Sequence, residues 1–153
     1  RTRAVTVTQN IMFVQYYVNF HVWDSAAGQP FQQIGHADLR GWFAERPPMP
    51  WTLCARTIGN TVEFKIWSAT ESEPGYGEPG QSGRATIPAG WVQEGWAGWY
   101  VGHLEPGDRA SFDDLHTYAL VPPGTEPPSS GRPTSQSPVL ETGDFSSRDP
   151  WPP

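Results

Sequence analysis

The feature that most constrains the fold is a period-two alternation between residues 12 and 22. One parity of this stretch is wholly apolar, whereas the other mixes aromatic and polar side chains. Because successive side chains of a β-strand point to opposite faces of a sheet, the pattern predicts a strand with one buried face. The apolar parity consists of Met12, Val14, Tyr16, Val18, Phe20 and Val22.

Turn signals divide the next part of the chain into further strands. "DSAAG" at 24–28 predicts a turn, and "PFQQIGHADL" predicts a short return strand after it. "RPPMP" at 46–50 interrupts the sheet, because proline cannot donate a hydrogen bond to a strand ladder. "WTLCARTIGNTVEFKIW" at 51–67 alternates on both sides of Gly59 and Asn60, which predicts a hairpin with a tight turn.

Composition and charge exclude several classes of partner. The 153 residues include 16 glycines and 17 prolines, so turns are frequent and long helices are disfavoured. The net charge is −6, whereas a protein surface that binds nucleic acid or an anionic membrane needs clustered basic residues. No apolar stretch approaches the roughly 18 residues that a membrane-spanning helix requires. We therefore expect no nucleic-acid partner and no membrane insertion.

The second half of the chain is less regular. Residues 68–89 predict a long loop, and loops of this length are usually functional or mobile. Residues 95–103 and 110–120 predict two more strands, joined by a turn in "LEPGDRA". Residues 121–153 contain nine of the 17 prolines and predict an extended tail. Since such a tail becomes ordered only when something holds it, we expect it to lie along a neighbouring protein subunit.

Three motifs, taken in order, carry a family resemblance. They are the 51–67 hairpin, "GWAGWYVG" and "SFDDL". Together they resemble the C-terminal part of concanavalin A-like (LamG-like, laminarinase-type) jelly-roll domains over roughly 51–120, and 11–37 fits an earlier hairpin of such a domain. The resemblance implies an all-β jelly-roll sandwich over 1–120, followed by the extended Pro-rich tail at 121–153.

The chain departs from this family at its start. Members usually open with a strand and an acidic-aromatic stretch that have no counterpart here. The resemblance therefore implies that the sandwich lacks its first strand, either because the chain is a fragment or because a second chain supplies the strand. Modules of this kind accompany secreted glycan-active enzymes and occur in tail and surface proteins of phages that infect actinobacteria, so we expect an extracellular or virion-surface location.

No catalytic constellation is evident. Glycoside hydrolysis needs two carboxylates about 5–10 Å apart across a cleft, and no acidic residue lies in a strand pattern that would fix such a pair. No Gly-x-Ser-x-Gly elbow or H-E-x-x-H motif accompanies the four histidines. Cys54 lies within a predicted strand, where a small packing side chain is expected rather than a nucleophile. We expect the protein not to be an enzyme.

The resemblance also implies a possible structural calcium site. Related sandwiches hold Ca²⁺ near the closing strand with a carboxylate and backbone carbonyl oxygens. Asp113 or Asp114 of "SFDDL" could supply that carboxylate, with loop oxygens as further ligands. The alternative is that both are ordinary solvated acids.

Aromatic side chains are the candidates for sugar binding, because an aromatic ring can stack on the C–H face of a sugar. In "GWVQEGWAGWYVG" at 90–102, alternation places Trp96 and Tyr100 on a glycine-lined outer face and Trp99 on the core side. The alternative is that this face is a packing or subunit surface. Trp42 and Tyr76, in predicted loops, are further candidates.

Taken together, the sequence predicts a non-catalytic β-sandwich module of a virion protein, from a phage tail or surface. It would serve assembly through 121–153 and recognition of a host cell-surface polysaccharide. The alternative is a carbohydrate-binding module of a secreted bacterial glycan-active enzyme.

Overall fold

The structure is a computed structural model that describes residues 1–10, 16–91, 95–101 and 104–120. The chain divides into two compact units, Arg1–Trp96 and Ala97–Pro153, here called the first and second unit. Within these described residues the chain has six β-strands and one short helix, and all of them lie in the first unit. The predicted all-β class is confirmed at this level.

The first sheet contains β1 (Arg3–Asn10), β2 (Tyr17–Asp24) and β3 (Phe31–Asp38), in the order β1-β2-β3 with antiparallel pairing. Its central strand is the one that the alternation predicts. Val18, Phe20 and Val22 are at most 1% exposed, so the part of the apolar parity that lies in β2 is buried, whereas Tyr16 precedes the strand and is half-buried. Met12 and Val14 lie outside the described residues.

The second sheet contains β4 (Trp51–Ile58), β5 (Thr61–Ser68) and β6 (Ser82–Thr86), in the order β4-β5-β6, again antiparallel. The hairpin β4-β5 turns at Gly59 and Asn60, as predicted, and Gly59 has a φ of +57°. Glycine adopts this left-handed conformation without the steric cost that a Cβ would bring.

Strand β6 falls within 68–89, so the prediction of an uninterrupted loop there is wrong. Its sequence, "SGRAT", contains one buried side chain, Ala85, and lacks an apolar alternation. The strand forms because its backbone pairs with β5 from Thr61 to Lys65. Tertiary pairing therefore determines this strand, and local propensity does not.

The two sheets face each other across one hydrophobic core, giving a β-sandwich-like arrangement. The inward side chains of β2 meet those of β5, and the Phe20 and Phe64 ring centroids are 5.6 Å apart. Strands β3 and β6 lie close together at Gly35 and Gly83, where an added side chain would have little or no room. Fully burying an aromatic such as Phe20 contributes about 1.5–3 kcal/mol to folding.

A helix that the sequence analysis did not predict closes one end of the core. Helix α1 (Arg40–Ala44) follows β3 directly and buries Trp42 and Phe43. Both rings contact Trp51 of β4 edge-on, at centroid distances of 5.6 and 5.2 Å. The "RPPMP" segment then connects α1 to β4, and the Pro47 carbonyl accepts a hydrogen bond from Trp51 Nε1.

In the second unit, residues 97–101 and 104–120 form no strand, so the strands predicted at 95–103 and 110–120 are wrong over their described part. Only the turn in "LEPGDRA" is confirmed, with the Asp108 amide donating to the Glu105 carbonyl at 2.9 Å. Alternation indicates which residues would share a face, but a strand also needs a partner strand to bond with. Trp99, predicted to be a core residue, is 45% exposed and contacts the Phe112 ring at 6.0 Å.

Candidate functional site

The candidate site is the outer face of the first sheet. Because β2 buries its even-numbered residues, its odd-numbered side chains point to the opposite face. The antiparallel register brings outward residues of β1 and β3 beside them. We call this surface the aromatic–amide face. It comprises Thr6 and Thr8 of β1, Tyr17, Asn19, His21 and Trp23 of β2, and Phe31, Gln33 and His36 of β3.

Aromatic rings are grouped at one end of this face, around Phe31. The His21 and Phe31 rings are 4.1 Å apart at 33°, and Trp23 meets Phe31 edge-on at 6.1 Å. Phe31 is 38% exposed and Trp23 is half-buried, so the group presents ring surface to its surroundings while its members hold one another in place.

A second pair of rings lies at the opposite end of the face. Tyr17 and His36 meet edge-on with centroids 5.2 Å apart. They line a shallow depression of about 290 Å³ together with Asn19 and Gln33. Ligand pockets usually begin at about 300 Å³, so the depression has room for one small ring but cannot enclose a larger ligand.

Two side-chain amides lie between the two aromatic groups of the face. Gln33 Nε2 donates a hydrogen bond to Asn19 Oδ1 at 3.4 Å. The pair retains an N–H₂ group on Asn19 and a carbonyl oxygen on Gln33 for other hydrogen bonds. Outward residues repeat about every 6.6 Å along a strand, so the side chains from Tyr17 to Trp23 span about 20 Å.

The charged groups near this face are already paired. At one end, Asp38 pairs with Arg40 and accepts from its backbone amide, and the bonds from the Arg40 side chain lower the pKa of the Asp38 carboxyl. At the other end, Asp24 pairs with Arg1 and Arg3. The hydrogen bond from Arg1 lowers the pKa of Asp24 to about 2. The face therefore presents neutral hydrogen-bonding groups and ring surface.

His21 is the most buried polar side chain on the face. It is 6% exposed, and its Nδ1 atom has no hydrogen-bond partner among the described residues. Burial lowers the pKa of its imidazole, because the charged form loses solvation beneath the neighbouring ring.

Two of the predicted sugar-binding residues have structural roles instead. Trp42 is 7% exposed, and its Nε1 donates to the Glu71 carboxylate at 3.0 Å, so its ring is not available for stacking. Tyr76 is half-buried on the outer face of the second sheet, with the Arg56 guanidinium 3.6 Å and the Lys65 ammonium 4.8 Å from its ring centroid. Tyr76 thereby holds the loop before β6 against the sheet, and burial raises the pKa of its hydroxyl.

The other two predicted sugar-binding residues are exposed. Trp96 is 89% and Tyr100 is 60% exposed. Trp96 belongs to the first unit and Tyr100 to the second. Their role in sugar binding stays a prediction.

The predicted calcium ligands lie in an exposed, non-strand segment. Asp113 Oδ1 accepts a hydrogen bond from the Asp114 amide at 2.8 Å, and Asp114 has a φ of +51°. Within the part of the chain that the structure describes, no three His, Cys, Asp or Glu side chains are grouped to hold a metal ion. The calcium site stays a prediction without a described set of ligands.

Cys54 lies half-buried in β4, opposite Lys65 in the strand register. Burial raises the pKa of its thiol, which reduces the thiolate fraction that a nucleophile requires.

The aromatic–amide face was not predicted from the sequence, although a signal for it was present. The outward parity of β2 reads Tyr17, Asn19, His21 and Trp23, without the charged residues that usually cover a solvent-facing sheet. The contributions of Phe31, Gln33 and His36 became clear only from the register of β3.

Comparison with protein-family models, curated proteins and solved structures found no match to this chain. In the residues described, no helix is long and apolar enough to span a bilayer. Functional inference therefore depends on the geometry of the aromatic–amide face and on the exposed side chains of the chain.

Proposed function

We propose that the protein is a non-catalytic carbohydrate-binding module whose ligand lies on the aromatic–amide face. The observation that supports this most is the placement of two aromatic groups at the ends of one strand, with a neutral amide pair between them. Rings stack on the C–H faces of sugars, while amides satisfy sugar hydroxyls as donors and acceptors.

The charge pattern supports a neutral ligand. The ionic groups at the two ends of the face are held in pairs, so an anionic sugar would find no free cation among them. The proposed ligand is an uncharged polysaccharide of a cell surface. The sheet arrangement agrees with the proposal that the chain is part of a concanavalin-like jelly roll.

The test is a glycan array followed by calorimetric titration with every oligosaccharide that binds. Trp23→Ala and Phe31→Ala should each weaken binding by about five- to thirtyfold, because losing one stacked ring removes on the order of 1–2 kcal/mol. Circular dichroism should show an unchanged fold. Trp96→Ala is the matched control, since Trp96 lies outside the face.

Two results would contradict the proposed site. If no glycan binds the wild-type protein, carbohydrate binding is excluded as the function of this module. If Trp96→Ala abolishes binding while Trp23→Ala has no effect, the ligand binds at the residues predicted from the sequence instead.

We propose assembly as a second function, in which the protein is a subunit of a phage tail or surface structure. The supporting observation is the exposure of large apolar side chains among the described residues of 96–120, since exposed apolar surface is characteristic of interaction sites. These side chains are Trp96, Trp99, Tyr100, Val101, Leu104, Phe112, Tyr118 and Leu120. The proposed subunit contacts of 121–153, and a virion-surface or extracellular location, belong to this function.

Sedimentation velocity tests the assembly proposal. The full chain should form oligomers, or bind a second virion subunit, and Trp96→Ser together with Tyr118→Ser should weaken that association. A strictly monomeric chain that captures no subunit of the particle would contradict it and favour a module of a secreted glycan-active enzyme.

A further inference from the structure

His21 occupies the centre of the aromatic–amide face, but no group in the described part of the chain bonds to its Nδ1 atom. In the strand register it lies between Thr6 of β1 and Gln33 of β3, and the Phe31 ring packs against it at 4.1 Å. A neutral imidazole needs to donate from only one nitrogen, whereas the protonated ring carries an N–H on both. The buried Nδ1 position therefore tolerates the neutral form much better than the charged one.

No charged group of the described residues is available to stabilise a protonated His21. The outward residues of β1 that flank it, Thr6 and Thr8, carry no ionisable group. The remaining titratable or charged groups of the face and its two ends are the Tyr17 phenol, the His36 imidazole, and the ion pairs of Asp38 with Arg40 and of Asp24 with Arg1 and Arg3.

We propose that acid releases the carbohydrate from this face through protonation of His21. The inference rests on the proposed function and adds its regulation. A protonated His21 must turn towards water or a hydrogen-bond acceptor, and this movement removes the support beneath Phe31. A sugar stacked on Phe31 opposes the movement, so the bound protein resists protonation more strongly than the free protein.

Linkage gives the sign and size of the effect. Burial already lowers the pKa of His21 in the free protein, and a ligand over Phe31 lowers the pKa further. Between these two pKa values the free protein takes up a proton that the complex excludes. Affinity therefore falls with decreasing pH, by up to about tenfold per pH unit.

The experiment measures hexasaccharide binding from about pH 8 to about pH 4.5, the range in which histidines titrate. Cellohexaose, laminarihexaose and maltohexaose serve as the neutral probes in calorimetric titrations. The wild-type affinity should fall at least about tenfold across this range, and His21→Gln should remove the pH dependence. His36→Gln should keep it, and so should His116→Gln, a matched control in the second unit.

A second readout covers the possibility that His21→Gln binds too weakly to measure. The ring protons of His21 are followed by NMR in the wild-type protein, with and without saturating hexasaccharide. A pKa of His21 that falls on binding supports the proposal.

The outcomes separate this inference from the proposed function. Binding that is equally tight at every pH, or a pH dependence that His36→Gln removes, overturns acid release and leaves carbohydrate binding intact. An unchanged His21 pKa on binding also overturns it. If none of the probes or array glycans binds at any pH, the proposed function fails and acid release fails with it.

Discussion

The Glu71 carboxylate joins parts of the first unit that are far apart in the sequence. It accepts hydrogen bonds from Trp42 Nε1 at 3.0 and 3.1 Å and from the Ser68 amide at 2.7 Å. Trp42 belongs to α1, whereas Ser68 is the last residue of β5. One side chain thereby fixes the helix against the end of the second sheet.

Replacing Glu71 should therefore destabilise the fold. Glu71→Ala leaves the buried indole N–H of Trp42 without its acceptor, which costs about 1–3 kcal/mol of unfolding free energy. Urea denaturation followed by tryptophan fluorescence measures the change. The matched control is Glu78→Ala at an exposed position of the same loop, where surface substitutions alter stability by at most about 0.5 kcal/mol. Equal stabilities for the two variants would contradict the anchoring role.

Asp24 makes stability depend on acid pH. The hydrogen bond from Arg1 lowers its pKa to about 2 in the folded protein, whereas the unfolded carboxyl titrates near its ordinary value of 3.8. A lowered folded pKa stabilises the protein above the unfolded pKa, and this stabilisation disappears as the pH falls from about 4 to about 2.

Asp24→Asn should therefore reduce the loss of stability between about pH 4 and about pH 2. Urea midpoints measured across it should change less with pH in the variant than in the wild type, and Arg1→Gln should reproduce the effect because it removes the same hydrogen bond. If either variant keeps the wild-type dependence of the urea midpoint on pH, the acid dependence arises from other carboxylates.

At the scale of elements, glycine permits the close approach of β3 and β6. A Cβ built on Gly83 would overlap Ala37 of β3 and lie 2.9 Å from the Phe64 ring. Since neither neighbour is a flexible chain end, the two strands would have to separate. The contact between the sheets thus depends on the absence of one side chain.

Gly83→Ala should destabilise the fold by about 1–3 kcal/mol through overpacking. The second substitution Ala37→Gly makes room for the added methyl group and should recover part of that loss, measured by urea denaturation of the single and double variants. The control is Gly75→Ala, where nothing lies within 4 Å of the added Cβ. If Ala37→Gly only adds its own destabilisation, the two residues do not share the contact.

At the scale of the whole molecule, the core belongs to the first unit. The six strands of the described residues, helix α1 and the buried cluster lie before residue 97. In the second unit, Leu115 is the only described residue that is not exposed. Folding free energy therefore comes mainly from the first unit, because burial of apolar surface is its dominant favourable contribution.

A chain that ends after Trp96 should keep the fold and the aromatic–amide face. Its circular dichroism should show the same β signal, its thermal unfolding should remain cooperative, and any glycan bound by the full chain should still bind. Full-chain binding with no binding to the shortened chain would place part of the ligand site in the second unit. Loss of cooperative unfolding would show that the first unit is not independently stable.

Sequence patterns predicted those parts of the fold that local chemistry specifies. The alternation of β2 and the Gly59–Asn60 hairpin were correct because each depends on side chains that are neighbours in the sequence. Strand β6 was missed, and the strands at 95–103 and 110–120 were wrong over their described residues, because the partner strand decides whether an extended segment joins a sheet. The same limit applies to the aromatic–amide face. The sequence predicted β3 as a strand, but only its register with β2 showed which of its residues share that face.

Local sequence patterns were sufficient to predict the all-β class, the buried face of β2 and the hairpin of the second sheet, and the composition gives an acidic net charge. The packing of the folded chain shows which aromatic side chains are structural and which line a surface. Trp42 is buried and donates a hydrogen bond to Glu71. Tyr76 packs against the Arg56 and Lys65 cations and holds its loop against the second sheet. The physical reason is that a side chain's exposure depends on what packs against it, and for these residues the packing partners are distant in the sequence.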